Sequence, residues 1–220
     1  FMQMLHFQLG RGLSPLEAAI RFFPLPLGLM PAAANSDKLV AKFGRRKVIT
    51  SGLCLVATGM LLFALVNRDT AYGQIAVTFV LLGLGMGLTM APSTTAIMEA
   101  IPQNKAGVGS ATNDASREIG GALGIAVGGS VLNQIYQSTL VIPDSLMGYK
   151  DVLMNSFPSA MRIGADNGPD GALLIASAQE AFVEGMVGSC YITAAVAILA
   201  AIIVWTMMPE ELLHETSSEE

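Results

Sequence analysis

Asn113-Asp114-Ala115-Ser116-Arg117-Glu118-Ile119-Gly120-Gly121-Ala122-Leu123-Gly124 decides the fold, because three ionisable side chains run directly into membrane-grade helix sequence. The apolar run at 119–132 would cover only about 21 Å as a helix, short of a hydrocarbon core of roughly 30 Å. If it crosses, the charged turns must enter the bilayer, where ionisable groups are costly and face a polar cavity or one another.

Composition agrees with a membrane setting. The 220 residues are 52% hydrophobic and 13% charged, about half the usual charge of a soluble domain. The formal net charge is -5, and five glutamates (Glu210, Glu211, Glu215, Glu219 and Glu220) sit in the C-terminal tail, so the body is neutral. That balance argues against a nucleic-acid partner. Cys54 and Cys190 fall inside apolar runs with no metal spacing, and read as buried free thiols. The chain opens on Phe1, and residues 1–9 read as the end of an apolar helix rather than a signal peptide. A C-terminal fragment of a longer protein is therefore expected.

Hydropathy predicts an all-α, polytopic transmembrane helix bundle with spans near 15–34, 48–66, 72–91 continuing to 101, 107–135 and 182–208. Two units follow: a transmembrane part at 1–208, with an outer loop at 143–181, and an acidic cytoplasmic tail at 209–220. Lys38, Lys42, Arg45, Arg46 and Lys47 form a basic cluster between the first two spans, which the positive-inside rule places in the cytoplasm. Alternation then places Lys105 and the C-terminus inside and the long loop outside. Within that loop a short surface helix is expected near 172–180.

Several spans carry polar or bending groups. Ser14-Pro15-Leu16-Glu17 is a capping box with proline at the first helical position, which gives Glu17 a capping role. Arg21 lies at the i,i+4 spacing that would pair it with Glu17, and either residue also qualifies for a substrate pathway. Pro92 frees the carbonyl of Leu88 and marks a hinge, with Ser93, Thr94 and Thr95 supplying hydroxyls beside it. Gly83 and Gly87 recur at a four-residue spacing, as do Gly120, Gly124 and Gly128 on the next span. Both sets predict close helix packing by the small-xxx-small rule. Gly83-Leu84-Gly85-Met86-Gly87 lacks the third glycine and preceding strand of a dinucleotide site.

Asp114, Arg117 and Glu118, with Asn113 beside them, form the sharpest constellation. Asp114 and Glu118 share a face at i,i+4, and Arg117 is i+3 from Asp114. A helix starting near Val108 would put Glu118 about 15 Å deep. There desolvation favours the neutral form of a carboxylate and a guanidinium favours the charged one, so rearrangement would change its hold on a proton. Proton coupling is one reading; an ion pair that locks two helices is the other. No HExxH, GxSxG or P-loop occurs, and His6 and His214 are the only histidines, so neither an enzyme nor a cofactor or metal site is expected.

Three segments resemble the major facilitator superfamily, and specifically its fourteen-span drug:proton antiporter branch. They are Phe43-Gly44-Arg45-Arg46-Lys47, Ala91-Pro92-Ser93-Thr94-Thr95-Ala96, and Ala106-Gly107 through Gly109-Ser110-Ala111 to Arg117, Gly120, Gly121, Ala122, Leu123 and Gly124. The resemblance implies the C-terminal half of that fold, five spans plus the tail of a sixth, in a bacterial plasma membrane. It implies proton-coupled export of amphipathic or cationic compounds, by rocking of two six-helix halves. The implied partners are the lipid bilayer, protons, an export substrate and the missing N-terminal half. In the superfamily's cytoplasmic loop motif an acid stands where this chain has Ala41, and a glycine where it has Asp37, so Asp37, Lys42, Gly44, Arg45 and Arg46 form a departed version of it. A non-transporting scaffold or receptor of the same architecture remains as an alternative. A channel is weaker, since one Asp114/Glu118 face makes no ring of charges without oligomerisation.

Overall fold

A computed structural model describes residues 14–66 and 70–209. Among these the secondary structure is helical: α1 (Pro15–Phe22), α2 (Pro24–Phe43), α3 (Arg45–Ala64), α4 (Tyr72–Glu99), α5 (Ala106–Thr139), α6 (Lys150–Asn155), α7 (Phe157–Ala165) and α8 (Gly168–Met207), with 3-10 turns at Gln103–Lys105 and Asp144–Tyr149. The expected apolar segment at 1–9 and the acidic tail beyond Pro209 lie outside the described residues.

Four helices are long and apolar enough to cross a membrane among the described residues: α3, α4, α5 with its leading turn, and α8. The first expected span is absent from that set. It consists of α1 and α2, broken at Phe23, and α2 continues through Asn35, Ser36, Asp37 and Lys38 to Phe43. Nothing between Pro31 and Phe43 opposes helix, so Asp37, Lys38 and Lys42 occupy helical turns and not the expected loop. Inside α2 Pro31 removes one backbone donor, while its own carbonyl accepts the Asn35 side-chain amide at 2.8 Å. The link between α2 and α3 is Gly44 alone, at φ 84°, a backbone state open to glycine with little penalty.

α4 is the centre of the bundle and packs on both sides through glycine. A Cβ at Gly83 would run into the Leu25 carbonyl oxygen of α2, and one at Gly87 would lie 2.6 Å from the Leu29 oxygen. On the other face, a Cβ at Gly85 would lie 2.6 Å from the Gly52 oxygen of α3. The Gly83-Leu84-Gly85-Met86-Gly87 run thus brings two neighbours into backbone contact. Beside these contacts, Phe63, Ile75, Phe79, Leu82 and Met186 form a core, with Phe63 stacked on Phe79 at 6.0 Å. α3 also packs against α8, and α8 against α5, where a Cβ at Gly185 would lie 2.6 Å from the Leu132 oxygen.

The connection at 143–181 is more ordered than expected. The surface helix near 172–180 is the first part of α8, which runs unbroken for 40 residues, about 60 Å and twice the hydrocarbon thickness. No proline interrupts it after Pro169, so the surface segment and the span share one axis. Around its start, Tyr136, Leu146, Leu153, Phe157, Leu174 and Phe182 form a second core. The Tyr136 hydroxyl donates to the Leu153 carbonyl at 3.1 Å, and Phe157 meets Phe182 at 4.6 Å.

At the Gly44 end two consecutive arginines tie three helices. Arg45 Nη2 donates to Glu99 Oε2 of α4 at 2.5 Å, and the Arg46 guanidinium lies 4.5 Å from the centre of the Trp205 ring on α8. The α2/α3 turn, the end of α4 and the end of α8 therefore share one end of the bundle.

Gly83→Leu is expected to cost about 1–3 kcal/mol, since the added side chain must separate α2 from α4; detergent melting of the full-length protein measures it. Glu99→Gln should change the same melting by less than about 1 kcal/mol, because a partly exposed pair contributes little.

Candidate functional site

The turns of α4 around Pro92 meet Arg117 from the charged turn of α5. α4 stays helical through Pro92, so the expected hinge is a position inside a continuous helix. Around it the hydroxyls turn back on the backbone: Thr89 Oγ1 donates to the Gly85 carbonyl at 2.8 Å, Thr94 Oγ1 to Met90 at 2.9 Å and Thr95 Oγ1 to Ala91 at 3.3 Å. Such back-bonding bends helices, and here it clusters on the turns that flank the proline.

Arg117 crosses to that region from α5. Its Nη2 donates to Thr94 Oγ1 at 2.6 Å and lies 3.4 Å from the Met90 carbonyl oxygen. The expected pairing of Arg117 with the acids of its own helix is not what forms: among the described residues neither Asp114 nor Glu118 has an ion-pair partner. Both acids and Arg117 are exposed, whereas Asn113 is buried. Thr94 is five residues before Glu99, so the guanidinium sits in the part of the bundle nearer Gly44. A cavity of about 400 Å³ adjoins it, lined by Leu29, Ala33, Met86, Met90, Thr94 and Arg117.

The other expected pathway residues lie elsewhere. Glu17 completes the capping box, accepting from the Ser14 backbone at 3.0 Å and the Ser14 hydroxyl at 2.9 Å. Arg21 lies 5.7 Å from the centre of the Tyr72 ring, and its carbonyl accepts the Tyr72 hydroxyl at 3.1 Å. Tyr72 opens α4, about 33 Å along the helix from Thr94. Glu17 and Arg21 therefore belong to the opposite end of the bundle from Arg117.

The two glycine ridges also differ. Gly83 and Gly87 are filled by α2, as above. Gly128 is buried, and its carbonyl accepts from Ser189 Oγ of α8 at 2.7 Å. A Cβ at Gly120, Gly121 or Gly124 would meet no atom within 4 Å. Here α4 and α5 scarcely touch. The gap between them holds a mostly apolar cavity of about 520 Å³, lined among others by Met60, Phe63, Met86, Gly124 and Cys190.

Of the loop-motif residues, Arg45 and Arg46 are engaged with Glu99 and Trp205, Lys42 Nζ lies 5.2 Å from the Phe43 ring centre, and Asp37 is exposed. From sequence, Glu99 reads as a charge near the cytoplasmic end and Trp205 as an aromatic at a span end; their pairing with Arg45 and Arg46 was not foreseen. The alanine at position 41, where the motif has an acid, was the available signal, since an arginine without its local acid can pair with one on another helix. Among the described residues no group of three or more His, Cys, Asp or Glu could hold a metal ion.

Comparison with known proteins agrees with this architecture. The model of the Major Facilitator Superfamily matches residues 1–125, more than half of the chain. Among curated relatives, the chain is 29% identical to the multidrug efflux pump LfrA of Mycolicibacterium smegmatis, over 90% of this chain and 40% of that protein. It is 31% identical to the multidrug transporter protein MdtP of Bacillus subtilis, over 74% of this chain and 30% of the relative. With the methyl viologen resistance protein SmvA of Salmonella typhimurium it shares 30% identity, over 69% of this chain and 33% of the relative. The chain thus spans well under half the length of these relatives. Helices that meet through glycine, four of them long and apolar enough to cross a bilayer, together with a family match over residues 1–125, make this integral membrane protein a member of the major facilitator superfamily.

Proposed function

We propose that the chain is the C-terminal half of a proton-coupled exporter of amphipathic or cationic compounds, in the fourteen-span branch of the superfamily. The names of the relatives support export of drugs, and methyl viologen is itself a cation. The observation that carries the mechanism is the division of the α5 charges: Arg117 is drawn to α4, which leaves Asp114 and Glu118 exposed and without a cation among the described residues. Acids so placed exchange protons with a wet interior and attract a cationic substrate. The capped Glu17 and the Arg21 over Tyr72 would act at the other mouth of the same pathway.

Gly120 and Gly124, free of contact in this chain, would receive helices from the rest of the protein, while Gly128 already packs against α8. The bundle end that carries Lys42, Arg45, Arg46 and Lys105 would be cytoplasmic by the positive-inside rule, and the C-terminus with it. Such a transporter would sit in the bacterial plasma membrane, with the ties from Arg45 and Arg46 holding its cytoplasmic ends together as the halves rock. Asp37, one helical turn from Ala41, is too exposed and unpaired to replace the usual acid of that loop; Glu99 would take its part.

Substrate-stimulated proton movement in vesicles with the full-length protein tests the reading; a scaffold or receptor gives none. Glu118→Gln should abolish that movement while leaving the folded protein in the membrane, and wild-type exchange by the variant would remove Glu118 from the pathway. Gly124→Leu should lower the detergent stability of the full-length protein by about 1–3 kcal/mol, as overpacking does. Unchanged stability would count against a helix seated on that face.

A further inference from the structure

Arg117 has two seats within reach, and the structure occupies one. In the occupied seat its Nη2 donates to Thr94 Oγ1 at 2.6 Å, while the Thr94 hydroxyl spends its own proton on the Met90 carbonyl at 2.9 Å. A hydroxyl has one proton and two lone pairs, so Thr94 serves both partners without conflict. The second seat is Asp114, one turn back on α5 at i,i+3, where a carboxylate accepts an arginine through two parallel bonds. Asp114 is exposed and has no cation among the described residues. With Arg117 on Thr94, no guanidinium nitrogen comes within ion-pair distance of an Asp114 oxygen, so the occupied position leaves the second seat empty.

The choice of seat changes how α4 and α5 are joined. The two helices scarcely pack, and a built Cβ at Gly120, Gly121 or Gly124 meets nothing. The bonds from Arg117 to Thr94 and Met90 are polar ties across that gap. They attach beside Pro92, where the missing backbone donor makes α4 easier to bend. Leu29, Met86 and Met90 line the adjoining cavity, so a movement of this tie reshapes its wall.

We propose that Arg117 is a two-position clasp between α4 and α5, with Thr94 the positioning residue that defines the closed position and Asp114 the competitor that releases it. The inference rests on the reading of Asp114, Arg117 and Glu118 as the polar pathway. Whatever neutralises Asp114, whether a proton or a cationic substrate, frees Arg117 for Thr94 and draws the helices together. By linkage, the clasped state and the neutralised acid favour each other.

The experiment uses the full-length protein with Cys54 and Cys190 replaced by alanine and spin labels at Met98→Cys and Thr112→Cys. Thr94→Val should broaden and lengthen the distance between the labels, and lower transport turnover about tenfold at unchanged half-saturation, the loss expected for a hydrogen bond to a charged group. Thr94→Ser keeps the hydroxyl and should restore both. Asp114→Asn should narrow the distribution to its short component. A wild-type distribution in Thr94→Val, or a Thr94→Ser that behaves like valine, overturns the clasp. If Thr94→Val does not reach the membrane, absence of narrowing in Asp114→Asn overturns it instead. The label distances need no proton movement: if Glu118→Gln exchanges protons normally while Thr94→Val still lengthens the distance, the clasp stands and the proton pathway falls.

Discussion

Backbone contact at α4 is the constraint on which the bundle depends. Glycines on two faces of this helix admit α2 on one side and α3 on the other, with Leu25 and Gly52 carbonyls where a Cβ would stand. In a bilayer the lipid tails are as apolar as leucine, so burial of apolar surface gives helices little reason to associate. Close approach restores it through dispersion and through tight fitting of backbones. Once α2, α3 and α4 are locked, α8 packs on α3, and α5 is carried by α8.

That order of attachment explains where the open surface lies. α5 follows α4 in sequence yet leans on α8, which leaves a seam between α4 and α5. Small side chains line the seam on α5, and Arg117 of the charged turn reaches across it. A membrane protein with such a seam either fills it with another helix or uses it as a pathway. The superfamily membership makes both uses compatible, since the matched relatives are more than twice the length of this chain.

Away from the seam the molecule is stiffened at both ends. Arg45 and Arg46 reach from one turn to α4 and α8, and the aromatic core around Tyr136 and Phe157 holds α6 and α7 to the start of α8. Individually the polar ties are small. Together they hold helix ends at both ends of the bundle, while α4 and α5 are sparsely packed on each other.

Much was legible from sequence alone. Hydropathy located α3, α4, α5 and α8, because a run of apolar residues near span length has few other fates. Ser14 and Glu17 announced their cap because both partners lie within one turn. The length of α8 was not legible, since a surface helix and a span that share an axis look separate to any rule based on hydropathy. Charge spacing put Asp114, Arg117 and Glu118 together, yet it described only one helix. Tertiary structure decided that Arg117 turns to Thr94, that Arg45 finds Glu99, and that Gly83 and Gly87 are filled while Gly120 and Gly124 are open. Local patterns determine which residues share a face; which neighbour meets that face depends on packing between segments distant in sequence, and no spacing rule along one helix contains it.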